Sequence, residues 1–287
     1  MTDPLAVFEA ERGRLFGVAY RMLGTVSEAE DVLQDAWIRW QEVDHAQVSN
    51  AFAYLVRLVA RLCLDTLGTA YHRRTEYIGP WLPEPILGEG PYGDPSALQD
   101  LSDDLSFAFL LLLERLSPVE RAVFLLREPF GYSYKEIGEI VGKSEAACRQ
   151  IERRARQRLE EAGRPAPADP DAHGRLLRSF LQATRDGDVQ GMVDLLAHDA
   201  VLYSDGGGKV NAARKPVVGP EMISRFLLGL ARLAGPHWED RPAVVNGGAG
   251  ALLLLDGVLH DAMTVEIEAG KIRRIFVVVN PDKLPKV

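Results

Sequence analysis

The densest group of cationic hydrogen-bond donors in the sequence is a run of basic side chains between positions 143 and 158. It carries six basic and two acidic residues, a net charge of +4, in a chain whose formal net charge is −8. Arginines on one helical face favour base recognition in the major groove of DNA, because an arginine fork can hold guanine O6 and N7 together. A helix whose charges are simply solvated is the alternative. The basic residues are Lys143, Arg149, Arg153, Arg154, Arg156 and Arg158.

Two predicted helices precede this run, and a third contains it. Ser117 followed by proline is typical of a helix start, and Ser133 with Glu136 three residues later predicts a capping box. Gly142 is expected to end the second helix before Ser144 opens the third. In a helix-turn-helix, the first turns of the last helix meet base edges and later basic residues reach phosphates. The layout therefore favours duplex DNA binding.

Length and composition narrow the class of protein. A chain of 287 residues is long enough for two or three domains. The charged N-terminus does not resemble a signal peptide, and no stretch approaches the ~20 apolar residues needed to cross a bilayer. Cys63 and Cys148 lie in separate predicted helices without a zinc-binding spacing, so we expect two buried thiols in a cytoplasmic protein with no metal or cofactor.

The first part of the chain reads as three helices, at about 5–23, 27–40 and 50–74. Ser27 and Glu30 predict a capping box for the second helix. Asp31 and Asp35 continue its acidic face at an unfavourable like-charge spacing, which indicates a basic protein partner; an ordinary solvated face is the alternative. The third helix has a net charge of +3 with interleaved aromatic residues, a combination suited to single-stranded DNA. Aromatic side chains in a helix more often belong to the core.

Residues 76–105 have a different composition. They hold five prolines, four glycines and seven acidic residues, and no lysine or arginine. This predicts a negatively charged linker. A second linker is predicted at 164–172. The acidic residues of the first are Glu76, Glu84, Glu89, Asp94, Asp100, Asp103 and Asp104.

The remainder, 173–287, predicts an α+β domain whose helices pack on a curved antiparallel sheet. Helices are expected at about 173–186, 188–197 and 220–234, and strands at 200–204, 238–246, 249–256, 260–268 and 271–279. Hairpin turns are predicted at Gly247-Gly248, Asp256-Gly257 and Ala269-Gly270. Polar side chains that could line a catalytic pocket are His198, Tyr203, Asp205, His237, Trp238, Asp256 and Asp261. No pairing in the sequence selects one of them as a catalytic base, so no catalytic residue is predicted.

Six motifs in order resemble extracytoplasmic-function sigma factors of RNA polymerase. SEAEDVLQDAWIRW at 27–40 is similar to their region 2.2, residues 50–74 to regions 2.3 and 2.4, and residues 117–159 to region 4. WLPEP at 81–85, DGGGK at 205–209 and NPDKL at 280–284 resemble the SigJ-type group, which carries a C-terminal SnoaL-like domain of the NTF2 superfamily. The implied fold is multidomain: two all-α sigma domains at 1–75 and 106–163, the second a helix-turn-helix, then an NTF2-like cone-shaped α+β barrel.

The resemblance implies partners for each helical surface. Region 2.2 docks on the β′ clamp helices of core polymerase, region 4 adjoins the β flap, and promoter DNA is held as single strand at the −10 element and duplex at the −35 element. A base would be flipped into the loop at 42–49. The implied polymerase contacts are Asp31, Gln34 and Asp35. The implied −10 contacts are Asn50, Tyr54, Arg57 and Arg61; at the −35 element Arg149, Gln150 and Arg153 face bases and Lys143, Arg154 and Arg156 face phosphates.

The other two segments also gain expected roles. The acidic linker would pass through polymerase channels built for polyanions, as an RNA mimic. The C-terminal domain would regulate the sigma core of a monomer in place of a separate anti-sigma protein. Its implied interface is Trp81, Leu82, Pro83, Glu84, Pro85, Asp205, Gly206, Gly207, Gly208, Lys209, Asn280, Pro281, Asp282, Lys283 and Leu284. A ligand-sensing DNA-binding regulator and a SnoaL-like enzyme fused to a DNA-binding unit are the alternatives.

Overall fold

A computed structural model describes residues 3–75, 77–88, 105–161 and 170–285. The described residues form two compact units. The first holds 3–75, 105 and 109–161, and the second holds 77–88, 106–108 and 170–285. Most acidic residues of the predicted linker, and most of the linker at 164–172, lie outside the described residues.

Helices build the first unit. Asp3 caps α1 with its side chain, and Gly24 ends the helix at φ 76°. For α2 the predicted cap at Ser27 is wrong: the helix starts after Thr25, whose hydroxyl donates to Glu28 Oε2 at 2.8 Å. The helices are α1 (Pro4–Leu23), α2 (Val26–Gln41), α3 (Ala51–Thr75), α4 (Phe107–Leu113), α5 (Pro118–Arg127), α6 (Tyr134–Val141) and α7 (Glu145–Glu161).

The predicted helix starts and the predicted helix end of the helix-turn-helix are confirmed. Ser117 with Glu120, and Ser133 with Glu136, form complete capping boxes at the starts of α5 and α6. Gly142 ends α6 at φ 67°. Gly138 also has a steric reason, because a Cβ there would lie 2.5 Å from the carbonyl oxygen of Lys143. These local signals set the angle at which α7 leaves the turn.

The second unit packs three helices on a six-stranded sheet of order β2-β1-β6-β5-β4-β3. The expectation of an antiparallel sheet is correct for β3 to β6 but wrong for β1, which pairs parallel to β6. The short strand β2 was not predicted. The elements are α8 (Pro170–Asp186), α9 (Val189–Leu195), β1 (Leu196–Asp205), β2 (Val217–Val218), α10 (Pro220–Ala234), β3 (Trp238–Val245), β4 (Gly248–Leu255), β5 (Val258–Glu268) and β6 (Lys271–Val278).

Two-residue turns join β3 to β6 in sequence. Each has positive φ at both central residues, the conformation that matches strand twist. The turns at Asp256-Gly257 and Ala269-Gly270 are confirmed. The first turn is Asn246-Gly247 rather than Gly247-Gly248, because Val245 pairs with Gly248 across the ladder.

Apolar side chains of α8, α9 and α10 pack on one face of this sheet. Phe180, Met192, Ile223 and Ile275 are fully buried in the resulting core. The predicted order, helical regions followed by an α+β domain, is confirmed. Among the described residues, no helix is both long and apolar enough to cross a membrane.

Candidate functional site

The outer face of α7 presents the predicted base-reading residues to solvent. Ser144 caps the helix by accepting a hydrogen bond from the Ala147 N–H at 3.2 Å. Cys148, Ile151, Ala155 and Leu159 form the buried stripe that holds the helix against its unit. All six side chains predicted for duplex DNA are exposed, the first in the turn before the helix and the other five on it: Lys143, Arg149, Gln150, Arg153, Arg154 and Arg156.

Carboxylates already engage some of these cations. Arg149 pairs with Glu145 on the same helix and lies 5.4 Å from the centre of the Tyr134 ring. Arg156 pairs with Glu128 and with Glu152, and the Glu152 hydrogen bond raises the pKa of its guanidinium. Within the described part of the chain, no carboxylate pairs with Arg153. Of the two arginines predicted to face bases, Arg153 is therefore the one that no carboxylate engages in the described part of the chain.

The start of α3 combines structural and exposed positions. Asn50 is a helix cap, since its side-chain oxygen accepts from the Ala53 N–H at 3.0 Å. The Tyr54 ring is 36% exposed and lies 5.6 Å from the ring of Trp40. The loop before α3 contains a short 3₁₀ turn at His45–Gln47. Of the four residues predicted to hold the DNA strand, Asn50 thus has a role in the fold as well.

Arg57 and Arg61 turn toward α6 of the helix-turn-helix. Arg57 lies 3.6 Å from Glu136 and 3.9 Å from Glu139, and Arg61 donates to the carbonyl oxygen of Glu139 at 2.8 Å. The Ser133 hydrogen bonds of the capping box, with a smaller contribution from Arg57, lower the pKa of Glu136. Two cations predicted to hold DNA are therefore occupied by protein acceptors.

An exposed ridge runs along α2. Asp31, Gln34 and Asp35 all point to solvent, while Val32, Leu33 and Ala36 pack inward. Ile38 continues this ridge one turn on and is 48% exposed. Sequence reasoning missed Ile38, although its spacing of seven from Asp31 and four from Gln34 places it on the same face.

The three SigJ-type motifs meet around one buried carboxylate, Asp205, at the end of β1. Its Oδ1 accepts from the Tyr77 hydroxyl at 2.6 Å, and its Oδ2 accepts from the Leu82 N–H at 2.8 Å. Lys283 Nζ lies 2.8 Å from Oδ2. Burial and the Asp205 hydrogen bond raise the pKa of Tyr77. A side chain of DGGGK thus binds the segments that carry WLPEP and NPDKL.

Further contacts fix residues 77–88, hereafter the strap, on the second unit. Lys283 donates to the Leu82 carbonyl at 2.5 Å and lies 4.3 Å from the Trp81 ring centre. Asn280 donates to the Tyr77 hydroxyl at 3.0 Å. Toward the other end, Ile86 exchanges two hydrogen bonds with Asn246, each 2.8 Å long. The described part of the predicted linker is therefore docked on the sheet.

Close packing explains two glycines of DGGGK. A Cβ at Gly207 would lie 2.3 Å from Asn280 Nδ2, and one at Gly208 would lie 2.9 Å from Ile78 Cδ1. Both residues also have positive φ, 59° and 71°. Lys209 at the end of the motif pairs with Asp282 on the surface. The motif is thus a tight turn shaped to the strap and the C-terminal segment.

The remaining polar candidates are scattered. His198 is exposed, and His237 pairs with Asp256 on the surface. Tyr203 stacks on Phe276. Asp261 is buried beside His260 in the wall of a cavity that Trp238 also lines. In the described part of the chain, no cluster of three or more His, Cys, Asp or Glu side chains could hold a metal ion.

Comparisons with known proteins cover nearly the whole chain. Residues 7–74 match the family model of sigma-70 region 2, and residues 106–159 match that of sigma-70 region 4. The ECF RNA polymerase sigma factor SigJ of Mycobacterium tuberculosis is 38% identical over 96% of this chain and 91% of its own. A probable ECF sigma factor SigI of the same species is 31% identical over 98% of this chain and 95% of its own.

A solved structure gives the same likeness in three dimensions. The crystal structure of Mycobacterium tuberculosis SigJ superposes with a TM-score of 0.79 at 35% identity. The match covers 97% of each chain. It therefore extends over the α+β unit as well as the helices.

Proposed function

Because this chain belongs to the extracytoplasmic-function sigma factors, of the SigJ type, we propose that its exposed helical faces divide the work of promoter recognition. As a member of this family, the chain is an alternative sigma factor that binds core RNA polymerase and directs it to promoters. The observation that carries the finer proposal is the separation of charge between helices. The α2 ridge is acidic and the outer face of α7 is basic, and both are exposed.

The α2 ridge is the surface for polymerase. Asp31 and Asp35 offer carboxylates to basic side chains, Gln34 a hydrogen-bonding amide, and Ile38 an apolar contact at the end of the ridge. Interfaces of this kind gain rate and specificity from complementary charge and affinity from buried apolar anchors.

The exposed face of α7 is the surface for the −35 duplex. Arg149, Gln150 and Arg153 lie near the start of the helix, where a helix-turn-helix meets base edges. Arg154 and Lys143 are placed to bind phosphates. The start of α3 holds the −10 strand, with Tyr54 as a stacking platform.

Full engagement of the strand by Arg57 and Arg61 requires a rearrangement within the first unit. Part of their donors is directed at Glu136 and Glu139 of α6, and we call this contact of α3 with α6 the closed arrangement. The contacts are exposed ion pairs and one hydrogen bond to a carbonyl, so they hold the closed arrangement weakly. The second unit acts on this sigma core through the strap, which lies in the chain between α3 and α4.

Transcription with purified core polymerase tests the proposal. The template is a library randomised at the −35 and −10 elements, and sequencing the run-off transcripts identifies the selected promoters. We expect the chain to support transcription from one promoter class. An Asp31→Asn/Asp35→Asn variant should lose core binding. Asp65→Asn/Glu160→Gln, which removes the same two charges at exposed sites on α3 and α7, should not. Equal core binding by the two variants would reject the α2 assignment.

A further inference from the structure

A cavity inside the second unit has no role in promoter recognition. It measures about 330 Å³ and lies between α8, α10 and the sheet. This size falls in the range of small-molecule pockets, roughly 300–1,000 Å³. Concave, mostly apolar cavities of this size are the usual form of small-molecule sites. Its walls are mainly apolar, formed by side chains that include Phe180, Leu181, Leu202, Leu227, Met263 and Val277.

One polar group in the wall lacks a partner. Asp261 is 8% exposed, and its Oδ1 is buried with no hydrogen-bond partner among the described residues. Its Oδ2 lies 3.1 Å from His260 Nδ1. A buried polar atom left unpaired costs free energy, and native proteins pair such atoms with protein, water or ligand. Burial raises the pKa of Asp261.

The cavity mouth is also apolar. Leu230 and Leu233 of α10 line it, and they are 44% and 86% exposed. Large apolar side chains grouped at an opening favour entry of a hydrophobic molecule. Among the described lining residues, His260 and Asp261 are the only ionisable groups that could compensate the desolvation of a charged ligand.

We infer that this cavity binds a neutral, hydrophobic small molecule that carries a hydroxyl group, with the hydroxyl placed against Asp261 Oδ1. A hydroxyl can both donate and accept, so it satisfies Oδ1 whether or not the carboxyl holds a proton. The rest of the molecule lies against the leucine, methionine and phenylalanine side chains of the wall.

The same strand ends carry the cavity wall and the strap contacts. On β1, Leu202 and Ser204 line the cavity and Asp205 holds the strap; after β6, Val279 lines the cavity and Asn280 contacts Tyr77. His260 lines this cavity and also a second one that Ile78 of the strap borders. An occupant therefore steadies the strand ends that hold the strap. The biological meaning of this effect rests on the proposed regulatory role of the second unit, but the binding itself does not.

Calorimetric titration of the full chain with two probes tests the binding. Naphthol carries the hydroxyl, and methylnaphthalene has nearly the same shape without it. We expect naphthol to bind about tenfold more tightly, because only its hydroxyl pairs the otherwise unsatisfied Asp261 Oδ1. In Asp261→Leu the two probes should bind alike. Ala231→Phe, which narrows the cavity from α10, should weaken both.

Three results would overturn the inference. They are no binding of either probe, equal binding of both by the unaltered chain, and binding that Ala231→Phe leaves unchanged. Should Asp261→Leu fail to fold by circular dichroism, Ala231→Phe and the probe comparison still decide the matter. Hydrogen exchange at the Leu82 and Ile86 amides, which should slow with naphthol bound, tests the link to the strap. Unchanged exchange would reject that link, whatever core polymerase assays show.

Discussion

Lys283 Nζ lies 2.8 Å from Asp205 Oδ2, and the two side chains are 8% and 0% exposed. Leu82 of the strap joins both residues, since its N–H donates to Asp205 and its carbonyl accepts from Lys283. A buried ion pair contributes little over a packed apolar pair, but loss of one partner leaves the other charge unpaired in the interior. The contact therefore fixes where the strap lies more than it adds net stability.

Lys283→Met should destabilise the second unit by about 3 kcal/mol, since it leaves the Asp205 carboxylate without its cation. Urea unfolding of the full chain, followed by tryptophan fluorescence, measures the change. Lys209→Met is the matched control, because its pair with Asp282 is exposed and should be worth less than about 1 kcal/mol. Equal losses of stability in the two variants would contradict the assignment of Lys283 and Asp205 as a buried ion pair that fixes the strap.

Gly207→Ala should release the strap from the C-terminal segment. The new Cβ would lie 2.3 Å from Asn280 Nδ2 in a backbone with φ 59°. Gly187→Ala provides the comparison, since Gly187 has φ 71° and open space around its Cβ position. Gly187→Ala should cost about 1 kcal/mol from the backbone alone, and Gly207→Ala more. Limited proteolysis at the strap should accelerate only in Gly207→Ala.

Arg153→Ala should weaken binding to the selected −35 duplex by about 1–3 kcal/mol and relax the preference at one base pair. Arg154→Ala should instead weaken binding to all sequences alike and reduce its dependence on salt. Fluorescence anisotropy on matched and mismatched duplexes, over a range of salt concentrations, separates the two effects. An equal loss of affinity for all sequences in Arg153→Ala would mean that Arg153 contacts phosphates and not bases.

Glu139→Gln should strengthen binding of the free chain to a single-stranded −10 oligonucleotide by up to about threefold. The substitution removes an exposed ion pair with Arg57, and such pairs are worth less than about 1 kcal/mol. Glu160→Gln makes the same charge change at an exposed site on α7. If both variants gain equally, the effect is one of net charge and the closed arrangement plays no part.

Acid should stabilise the second unit through His260 and Asp261. The Asp261 hydrogen bond raises the pKa of His260, and burial raises that of Asp261. Above the ordinary Asp pKa of about 3.9, the native state therefore holds more protons than the unfolded chain. The stability that these protons contribute falls as the pH rises through the raised pKa of His260, above about 6.5.

Asp261→Asn isolates this contribution, because it removes the carboxyl and the cause of the His260 shift. The stability of the variant relative to the unaltered chain should increase from acid to neutral pH, as measured by urea unfolding at each pH. His173, whose pKa burial lowers, contributes with the opposite sign but cancels in the difference. A difference that does not vary with pH would exclude an ionising role for the pair.

Local features of this fold were readable from the sequence. Capping boxes at Ser117 and Ser133 and the glycine after α6 depend on residues only a few positions apart, so their side-chain chemistry predicts them directly. The helix start after Thr25 was missed because Ser27 offers the same motif two residues later, and only the backbone of the folded chain shows that the helix begins at Val26.

Long-range pairings were not readable. Nothing near β1 in the sequence indicates that it pairs parallel to β6, more than seventy residues later. Likewise, the resemblance placed WLPEP, DGGGK and NPDKL at one interface, but it did not indicate that they converge on the Asp205 carboxylate. That convergence depends on tertiary packing, since Tyr77 and Asp205 are 128 positions apart in the sequence. The unpaired Asp261 oxygen is also a property of the folded wall alone.

The docked strap also limits the length of free chain between α3 and the helix-turn-helix, the two elements proposed to contact DNA. Its twelve residues, 77–88, lie between α3 and α4, and while they are bound to the sheet they cannot serve as tether. Release would return a contour length of about 40 Å to that connection. The second unit would then set the length of the tether, because the distance over which the −10 and −35 surfaces can separate depends on whether the strap is docked or released.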